Sequence, residues 1–240
     1  MAAADLLNRR ILVFVGGYGA GKTQVSISLA LHLAASREPV ALVDLDIINP
    51  YFRSRELRVE LGCRGVEVIC PAGELASAEN PSLVPQIDQA LADPARRVVL
   101  DVGGDEAGAT VLGRYAPALS SGEAAVLQVV NVFRPFSRTV AEIEELRRTI
   151  ETKSRCRVEG WINNANLAEA ATLRDWQEAG RVMRELEQVT SIPVAAQAVN
   201  PGWAKRVGLG WDPAWIPVKR YLSLGWKNAT GAGAEPGERN

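Results

Sequence analysis

Eight residues near the start of the chain, Gly16 to Thr23, carry the clearest chemistry in the sequence. They read GGYGAGKT and fit the pattern G-x-x-x-x-G-K-[ST], in which backbone amides cradle nucleotide phosphates. An apolar run, Ile11–Val15, precedes this loop, and a helical pattern opens near Lys22, which is the context that the motif requires. The residues predicted to bind the nucleotide here are Gly17, Tyr18, Gly19, Ala20, Gly21, Lys22, Thr23 and Gln24.

Each residue type in this loop has a physical reason to be there. Gly17, Gly19 and Gly21 are expected to take positive φ, so that consecutive amides point at one anion. The partial positive charge of the helix N-terminus adds to the same place. Lys22 is predicted to reach the β- and γ-phosphates, and the Thr23 hydroxyl to ligate Mg²⁺. An ordinary glycine-rich turn is the alternative interpretation.

Carboxylates follow two other apolar runs. Asp44 and Asp46 close the stretch VALVDLD, and Asp101 closes RRVVLD. Ligands bind at the carboxyl ends of strands in open α/β sheets, so these aspartates are candidates to hold Mg²⁺ and to organise an attacking water. Asp101 is predicted to hold the metal directly or through water, with Gly103 and Gly104 letting the backbone follow the γ-phosphate. The alternative for one of Asp44 and Asp46 is that it only anchors the loop.

Alternating strand-like and helix-like segments position these residues. The predicted strands are Ile11–Val15, Val40–Leu45, Val66–Ile69, Val98–Val102, Ala125–Val130, Val158–Ile162 and Val194–Ala196. The clearest predicted helices are Thr23–Ala35, Val84–Ala92, Thr139–Thr152 and Leu173–Val189, with a loop around Pro117 and the turn at residues 120–122. Continuous apolar strands require a sheet covered on both faces. The sequence therefore predicts an α/β fold with a doubly wound, mainly parallel sheet of about seven strands.

Composition bounds the class of protein. The chain has 240 residues, 47% of them hydrophobic, and a formal net charge of −1, which argues against strong attraction to nucleic acid or anionic lipid. The apolar runs are too short to cross a bilayer, and no apolar secretion signal is visible at the N-terminus. Three cysteines without metal-ligand spacing favour a cytoplasmic location. Residues 1–228 are predicted to form one nucleotide-binding domain, and 229–240 a disordered tail.

The combination of an early phosphate loop with D-x-D after the second strand resembles the ParA/MinD and CobQ/CobB-like ATPases of the SIMIBI class. The resemblance runs from about residue 10 to 200 and is strongest in the phosphate loop, VDLDIINPYFRSRE and VVLDVGG. It implies that Asp46 lies near Mg²⁺ and the attacking water, with Asp44 in support. That family's signature lysine, which reaches the partner subunit's nucleotide, is replaced by Gly17. The resemblance implies a homodimer, whereas the missing lysine argues against that family's mechanism across the dimer.

A base pocket is predicted where two later strands end. The stretch GWINNANL places Asn163 and Asn164 after a buried strand, where an amide can read adenine through a paired donor and acceptor. Its G-W-x-x-N spacing is similar to that of dethiobiotin synthetase-like members, which implies the adenine contact at Asn164. Gln197 is predicted to close the other side. The sequence has no N-K-x-D guanine-binding motif, so ATP is favoured over GTP. An asparagine-rich turn is the alternative.

Two further polar stretches leave their roles open. Arg53 and Arg55 lie where the resemblance puts a switch region; they either bind phosphate or a carboxylate substrate, or form a solvated helix face. Asn131 and Arg134 lie in VVNVFRPFSRT, which either contacts a partner or substrate or forms a plain turn. The helix after it is predicted to be capped by Ser137.

Three functions are compatible with a Mg²⁺–ATP site in this sequence. The first is an accessory switch ATPase that acts on a protein or cofactor client, with slow hydrolysis until a partner completes the site. The second is a synthetase for a small acidic substrate, similar to the dethiobiotin and cobyrinic acid enzymes. The third is an ATPase that positions itself on DNA or membrane, which would need a basic face or amphipathic tail. No such face or tail is visible in the sequence.

Overall fold

The sheet is the organising element of the fold. A computed structural model of the protein describes residues 3–46, 57–70, 85–104, 106–165, 172–200, 214–219 and 221. Every strand pairing in these residues is parallel, and the strand order is β3-β2-β4-β1-β5-β6-β7-β8. The strands are β1 Ile11–Val15, β2 Val40–Leu45, β3 Val66–Ile69, β4 Arg97–Val102, β5 Ala124–Val130, β6 Gly160–Asn163, β7 Val194–Val199 and β8 Ala214–Pro217.

Helices cover both faces of this sheet. The α-helices are α1 Lys22–Ala35, α2 Arg58–Cys63, α3 Pro85–Ala92, α4 Glu106–Leu112, α5 Ala116–Leu119, α6 Val140–Ser154 and α7 Leu173–Thr190, and a 3₁₀ helix spans Ala3–Asn8. One apolar core joins the sheet to α3, α4, α6 and α7, and a second joins it to α1, α2 and the 3₁₀ helix. Alternate residues of β1 enter the two cores, which is why that strand is apolar throughout. No described helix is long and apolar enough to cross a membrane.

The predicted fold class is confirmed, with one strand more than expected. The unpredicted strand, β8, has only the sequence AWIP and pairs with β7 at the edge of the sheet, where proline is tolerated. The helices α2, α4 and α5 were also not predicted, because four to seven residues are too few to show a helical period. The predicted loop at Pro117 is wrong: this proline lies in the first turn of α5. The predicted tail, 229–240, lies outside the described residues.

The cap of α6 differs from its prediction. The N-cap is Thr139, not Ser137, because Thr139 and Glu142 form a capping box. The Thr139 hydroxyl accepts the Glu142 amide at 3.3 Å, and the Glu142 carboxylate accepts the Thr139 amide at 2.9 Å. Ser137 is instead buried beside the phosphate loop, 3.8 Å from the point where a Cβ on Gly17 would lie.

We expect Thr139→Ala to lower the free energy of unfolding by about 1 kcal/mol, because the Glu142 amide loses its partner. Urea denaturation measures this difference. The matched control is Thr149→Ala in the middle of α6, where the hydroxyl donates only to the Glu145 carbonyl. Alanine is the better helix former there, so the control should be neutral or slightly stabilising. Equal losses in both variants would contradict the capping role.

Candidate nucleotide-binding site

The site lies where the strand order changes direction. In the sheet, β1 lies between β4 and β5. The chain runs from β1 through α1 to β2 on the β4 side of β1, and it later passes from β4 to β5 on the other side. A crevice opens outside the carboxyl ends of the strands at such a point. The loop that follows β1 is Gly16–Gly21, which we call the phosphate loop, and it opens into this crevice.

The phosphate loop has the backbone that an anion cradle needs. Positive φ is found at Gly16, Gly19 and Gly21, with values of 139°, 73° and 90°. The expectation of positive φ at Gly17 is therefore wrong, and Gly16 has a positive φ instead. A side chain would not fit at Gly16, because a Cβ there would lie 2.5 Å from the Val129 carbonyl oxygen of β5. Gly21 precedes α1 without a side-chain cap, so the first amides of α1 remain available to a ligand.

Lys22 lies at the centre of the crevice. Its side chain is folded back on the loop, with Nζ donating to the Gly17 carbonyl at 3.1 Å, and it is only 8% exposed. This buried ammonium group lies close enough to Asp101 to lower the pKa of that carboxyl group, and at the phosphate loop it can also contact a negatively charged ligand. The structure thus places Lys22 where the sequence predicted a phosphate contact.

Asp101 and Thr23 form a second centre beside the loop. Asp101, the last residue but one of β4, pairs with Asp44 of β2 and is buried, and the Thr23 side chain hydrogen-bonds to it. Burial, and then the Asp44 charge, raise the pKa of Asp101 to about 7, although Thr23 and Lys22 oppose the shift. A bound cation would favour the ionised form of this carboxyl group.

The two aspartates at the end of β2 have different surroundings. Asp44 is buried, and its Oδ1 accepts the Asp46 amide at 3.0 Å, which holds the chain as it leaves the strand. Asp46 is more exposed than Asp44. The roles expected of them, Asp44 in support and Asp46 near Mg²⁺ and the attacking water, stay predictions.

The oxygen groups at this edge suit Mg²⁺. One oxygen of Asp101, Oδ1, is buried without a hydrogen-bond partner, and a cation would satisfy it. The described residues contain no cluster of three or more metal-ligating His, Cys, Asp or Glu side chains. Mg²⁺ does not need one, because it is commonly held by one or two protein oxygens, phosphates and water. The residues that would hold Mg²⁺ are Thr23 and Asp101, and Asp46 is predicted to join them.

Two neighbouring loops press against the phosphate loop. After β4, a Cβ on Gly104 would lie 2.8 Å from Lys22 Nζ and 2.9 Å from the Tyr18 amide nitrogen. After β5, the Arg134 side chain lies over Gly19, with Nε 3.5 Å from the point where a Cβ on that glycine would stand. The structure forms the turn that the sequence offers as one alternative, and a contact of Arg134 with a partner or substrate stays a prediction.

The end of β6 is tied to the same loop. The Asn164 side-chain amide donates to the Ala20 carbonyl at 2.7 Å, and a Cβ on Gly21 would overlap this amide. Asn163 donates to Gln197 Oε1 at 2.7 Å, and both side chains are fully buried. Gln197 Nε2 has no hydrogen-bond partner among the described residues. Base recognition by these three residues stays a prediction.

Several predicted residues are placed otherwise or not described. Gln24 was expected to bind the nucleotide, but its side chain accepts the Tyr221 amide at 3.0 Å and so ties the chain after β8 to α1. Nothing in the local sequence signals this contact, because it joins residues 197 positions apart. Arg53 and Arg55 lie outside the described residues.

Comparison with solved structures agrees with this architecture. FtsY from Mycoplasma mycoides matches with a TM-score of 0.54 and 15% identity over 79% of this chain and 59% of that chain. Chloroplast FtsY from Physcomitrella patens matches with a TM-score of 0.57 and 21% identity over 80% and 59%. The signal recognition particle receptor FtsY from Elizabethkingia anophelis gives 0.51 and 16% over 81% and 63%. The fold is a P-loop NTPase fold.

The likeness has clear bounds. The chain spans about three fifths of the length of these FtsY structures. No protein-family model matches the sequence, and no curated protein matches it significantly. At these identities the comparison shows the fold, and the activity has to be argued from the site.

Proposed function

We propose that the protein is a Mg²⁺-dependent ATPase that acts as a slow switch on a protein or cofactor client. One observation carries the proposal: buried Lys22 and the Thr23–Asp101 pair meet at the phosphate loop, on the carboxyl edge of a parallel sheet. A cation, an oxygen pair and a row of backbone amides at one place form a complementary surface for a nucleoside triphosphate with its metal ion.

Each of these residues has a separate role in the proposed hydrolysis. Lys22 binds the terminal phosphates and offsets the charge that develops on them in the transition state. Thr23 and Asp101 would hold Mg²⁺, which would supply further positive charge to the phosphate oxygens. Asp46 orients the attacking water, and Asp44 fixes the backbone of Asp46 through their 3.0 Å hydrogen bond. Phosphoryl transfer is then a matter of positioning and charge.

Adenine is the proposed base. Asn164 is fixed on the phosphate loop through Ala20, and Asn163 and Gln197 form a buried amide pair on the neighbouring strands. A side-chain amide carries the paired donor and acceptor that adenine requires, so binding of the base would need one of these amides to exchange its present protein partner. The sequence has no N-K-x-D stretch for guanine. The FtsY neighbours are GTPases, so guanine is the base against which adenine must be tested.

The client is the least constrained part of the proposal. Gly17 stands where a signature lysine would complete a partner's site, so intrinsic turnover is expected to be slow until a client, substrate or second subunit adds to the site. A homodimer and a cytoplasmic location belong to the proposal. Nucleic acid and membrane do not, because the formal net charge is −1.

We expect Lys22→Ala to lower Mg²⁺-dependent ATP hydrolysis by about 100-fold, since a charged contact to the transferring phosphoryl group is lost. Steady-state phosphate release from ATP and from GTP measures both the loss and the base preference. Lys153→Ala is the matched control, because Lys153 only forms an exposed ion pair with Glu106, and such pairs contribute little. Chelation of Mg²⁺ should abolish turnover in every variant.

Other outcomes have definite meanings. Hydrolysis of GTP in preference to ATP would overturn the adenine assignment while leaving the phosphate site intact. Tight ATP binding without turnover would favour a synthetase that waits for a small acidic substrate. Light scattering with and without ATP tests the homodimer. Absence of any nucleotide binding would refute the proposed function altogether.

A further inference from the structure

The loop between β5 and α6, residues 131–139, is built to hold one side chain against the phosphate loop. Asn131 is buried, and its Oδ1 accepts the Phe133 amide at 3.1 Å. The Asn131 carbonyl accepts the Arg134 amide at 3.0 Å, so the two bonds fix a tight turn. At the far end, the Thr139 cap fixes the loop to α6. The backbone at Arg134 is therefore held from both sides.

The Arg134 side chain runs across the face of the phosphate loop. Its Nε, Cδ and Cζ atoms lie 3.5, 3.7 and 3.9 Å from the point where a Cβ on Gly19 would stand. Arg134 is exposed, and no carboxylate in the described part of the chain forms an ion pair with it. A guanidinium group held next to a row of amide donors without a counter-charge suits a bound oxyanion.

Gly17 and Gly19 have different neighbours. A Cβ on Gly17 would be in ordinary contact with Leu146 Cδ2 at 3.4 Å and Ser137 Oγ at 3.8 Å. At Gly19 the neighbour is Arg134, so a cation lies against the phosphate loop although position 17, where the resemblance places a lysine, carries none.

The geometry points to Arg134 as a catalytic residue that supplies, within one chain, the second positive charge on the transferring phosphoryl group. This inference rests on the proposed function. Water attacks the γ-phosphorus, the bond from that phosphorus to the bridging oxygen breaks, and the water proton leaves with the inorganic phosphate or to solvent. Arg134 keeps its proton throughout and donates hydrogen bonds to the phosphate oxygens as their charge develops.

We expect Arg134→Ala to lower kcat for ATP by about 100-fold while KM and ADP affinity change by less than about threefold. Arg134→Lys should restore part of kcat, because it keeps the charge without the planar donor pair. The matched control is Arg138→Ala, an exposed arginine of the same loop, which should leave kcat unchanged. A second readout is the affinity for ADP with aluminium fluoride, a mimic of the phosphoryl group in transfer, which should fall only in the Arg134 variants.

The failures of the two ideas are distinguishable. If the wild type hydrolyses ATP and Arg134→Ala does so at the same rate, the inference is wrong and the proposed function stands. Equal losses in Arg134→Ala and Arg138→Ala would also overturn it, because the effect would then come from the general charge of the loop. If the wild type binds no nucleotide, both fail together.

Discussion

Asp101→Asn is expected to abolish Mg²⁺-dependent hydrolysis and, at the same time, to stabilise the nucleotide-free protein at alkaline pH. The first effect follows because an amide replaces the carboxylate that would hold the metal beside Thr23. The second follows because the Asp101 carboxyl group is buried next to Asp44, and its pKa is raised to about 7. Function and stability therefore make opposite demands on this position.

The direction of the pH effect follows from proton linkage. In the unfolded chain Asp101 has its ordinary pKa of 3.8, whereas in the folded protein the value is about 7. Between these values the folded state binds a proton that the unfolded state has lost, so the free energy of unfolding decreases as pH rises from about 4 to 7. Above pH 7 the ionised carboxylate stays buried and the loss is complete. Asparagine cannot ionise, so the variant escapes this loss.

Urea denaturation of both proteins at pH 5 and pH 8, in the presence of a chelator, measures the difference. We expect the variant's advantage to widen between the two pH values and to reach the order of a few kcal/mol at pH 8. Asp88→Asn on the exposed face of α3 is the matched control, and it should follow the wild type at both values. An advantage that is equal at pH 5 and pH 8 would show that Asp101 is not held protonated.

The same carboxyl group links metal binding to proton release. Mg²⁺ and a proton compete for the carboxyl oxygens of Asp101. Binding of the Mg²⁺–nucleotide complex near pH 7 should therefore release a proton. Calorimetry in two buffers of different ionisation enthalpy measures the release, which should vanish in the variant.

The parts of the site that the sequence predicts are those encoded by short local patterns. The phosphate loop is a contiguous motif between an apolar strand and a helix, and Asp101 directly follows three apolar residues, so both are visible without a fold. The Thr139 cap is also visible in the sequence, because Glu142 stands three residues later and completes a capping box. Ser137 has the right residue type for a cap but is followed at that spacing by Val140, which cannot complete one.

The remaining contacts depend on strand order, which no local pattern carries. Arg134 reaches Gly19, and Asn164 reaches Ala20, only because β5 lies next to β1 and β6 next to β5 in the sheet. The exchange of positive φ from Gly17 to Gly16 likewise depends on how closely β5 packs against the loop. Strand β8 exists through its pairing with β7 rather than through its own four residues. Tertiary packing therefore decided each of these features.

Gly104→Ala is expected to weaken triphosphate binding by about 100-fold while the protein stays folded. The added Cβ would stand 2.8 Å from Lys22 Nζ, 2.9 Å from the Tyr18 amide nitrogen and 3.0 Å from the Tyr18 Cα. Lys22 has a flexible side chain and can move, but Tyr18 offers its backbone, so the phosphate loop itself must shift. Loss of one charged and one amide contact to phosphate is worth about 3 kcal/mol, which corresponds to about 100-fold in affinity.

Titration with a non-hydrolysable ATP analogue and with ADP measures the effect and its direction. Affinity for the triphosphate should fall more than affinity for ADP, since the new methyl group lies between two groups expected to face the terminal phosphate. Gly62→Ala in α2 is the matched control: a Cβ there meets nothing within 4 Å. That control should leave both affinities unchanged and stabilise the helix by up to about 1 kcal/mol. Equal affinities in wild type and Gly104→Ala would mean that the loop after β4 moves away when nucleotide binds, and that its contact with Lys22 belongs to the nucleotide-free protein alone.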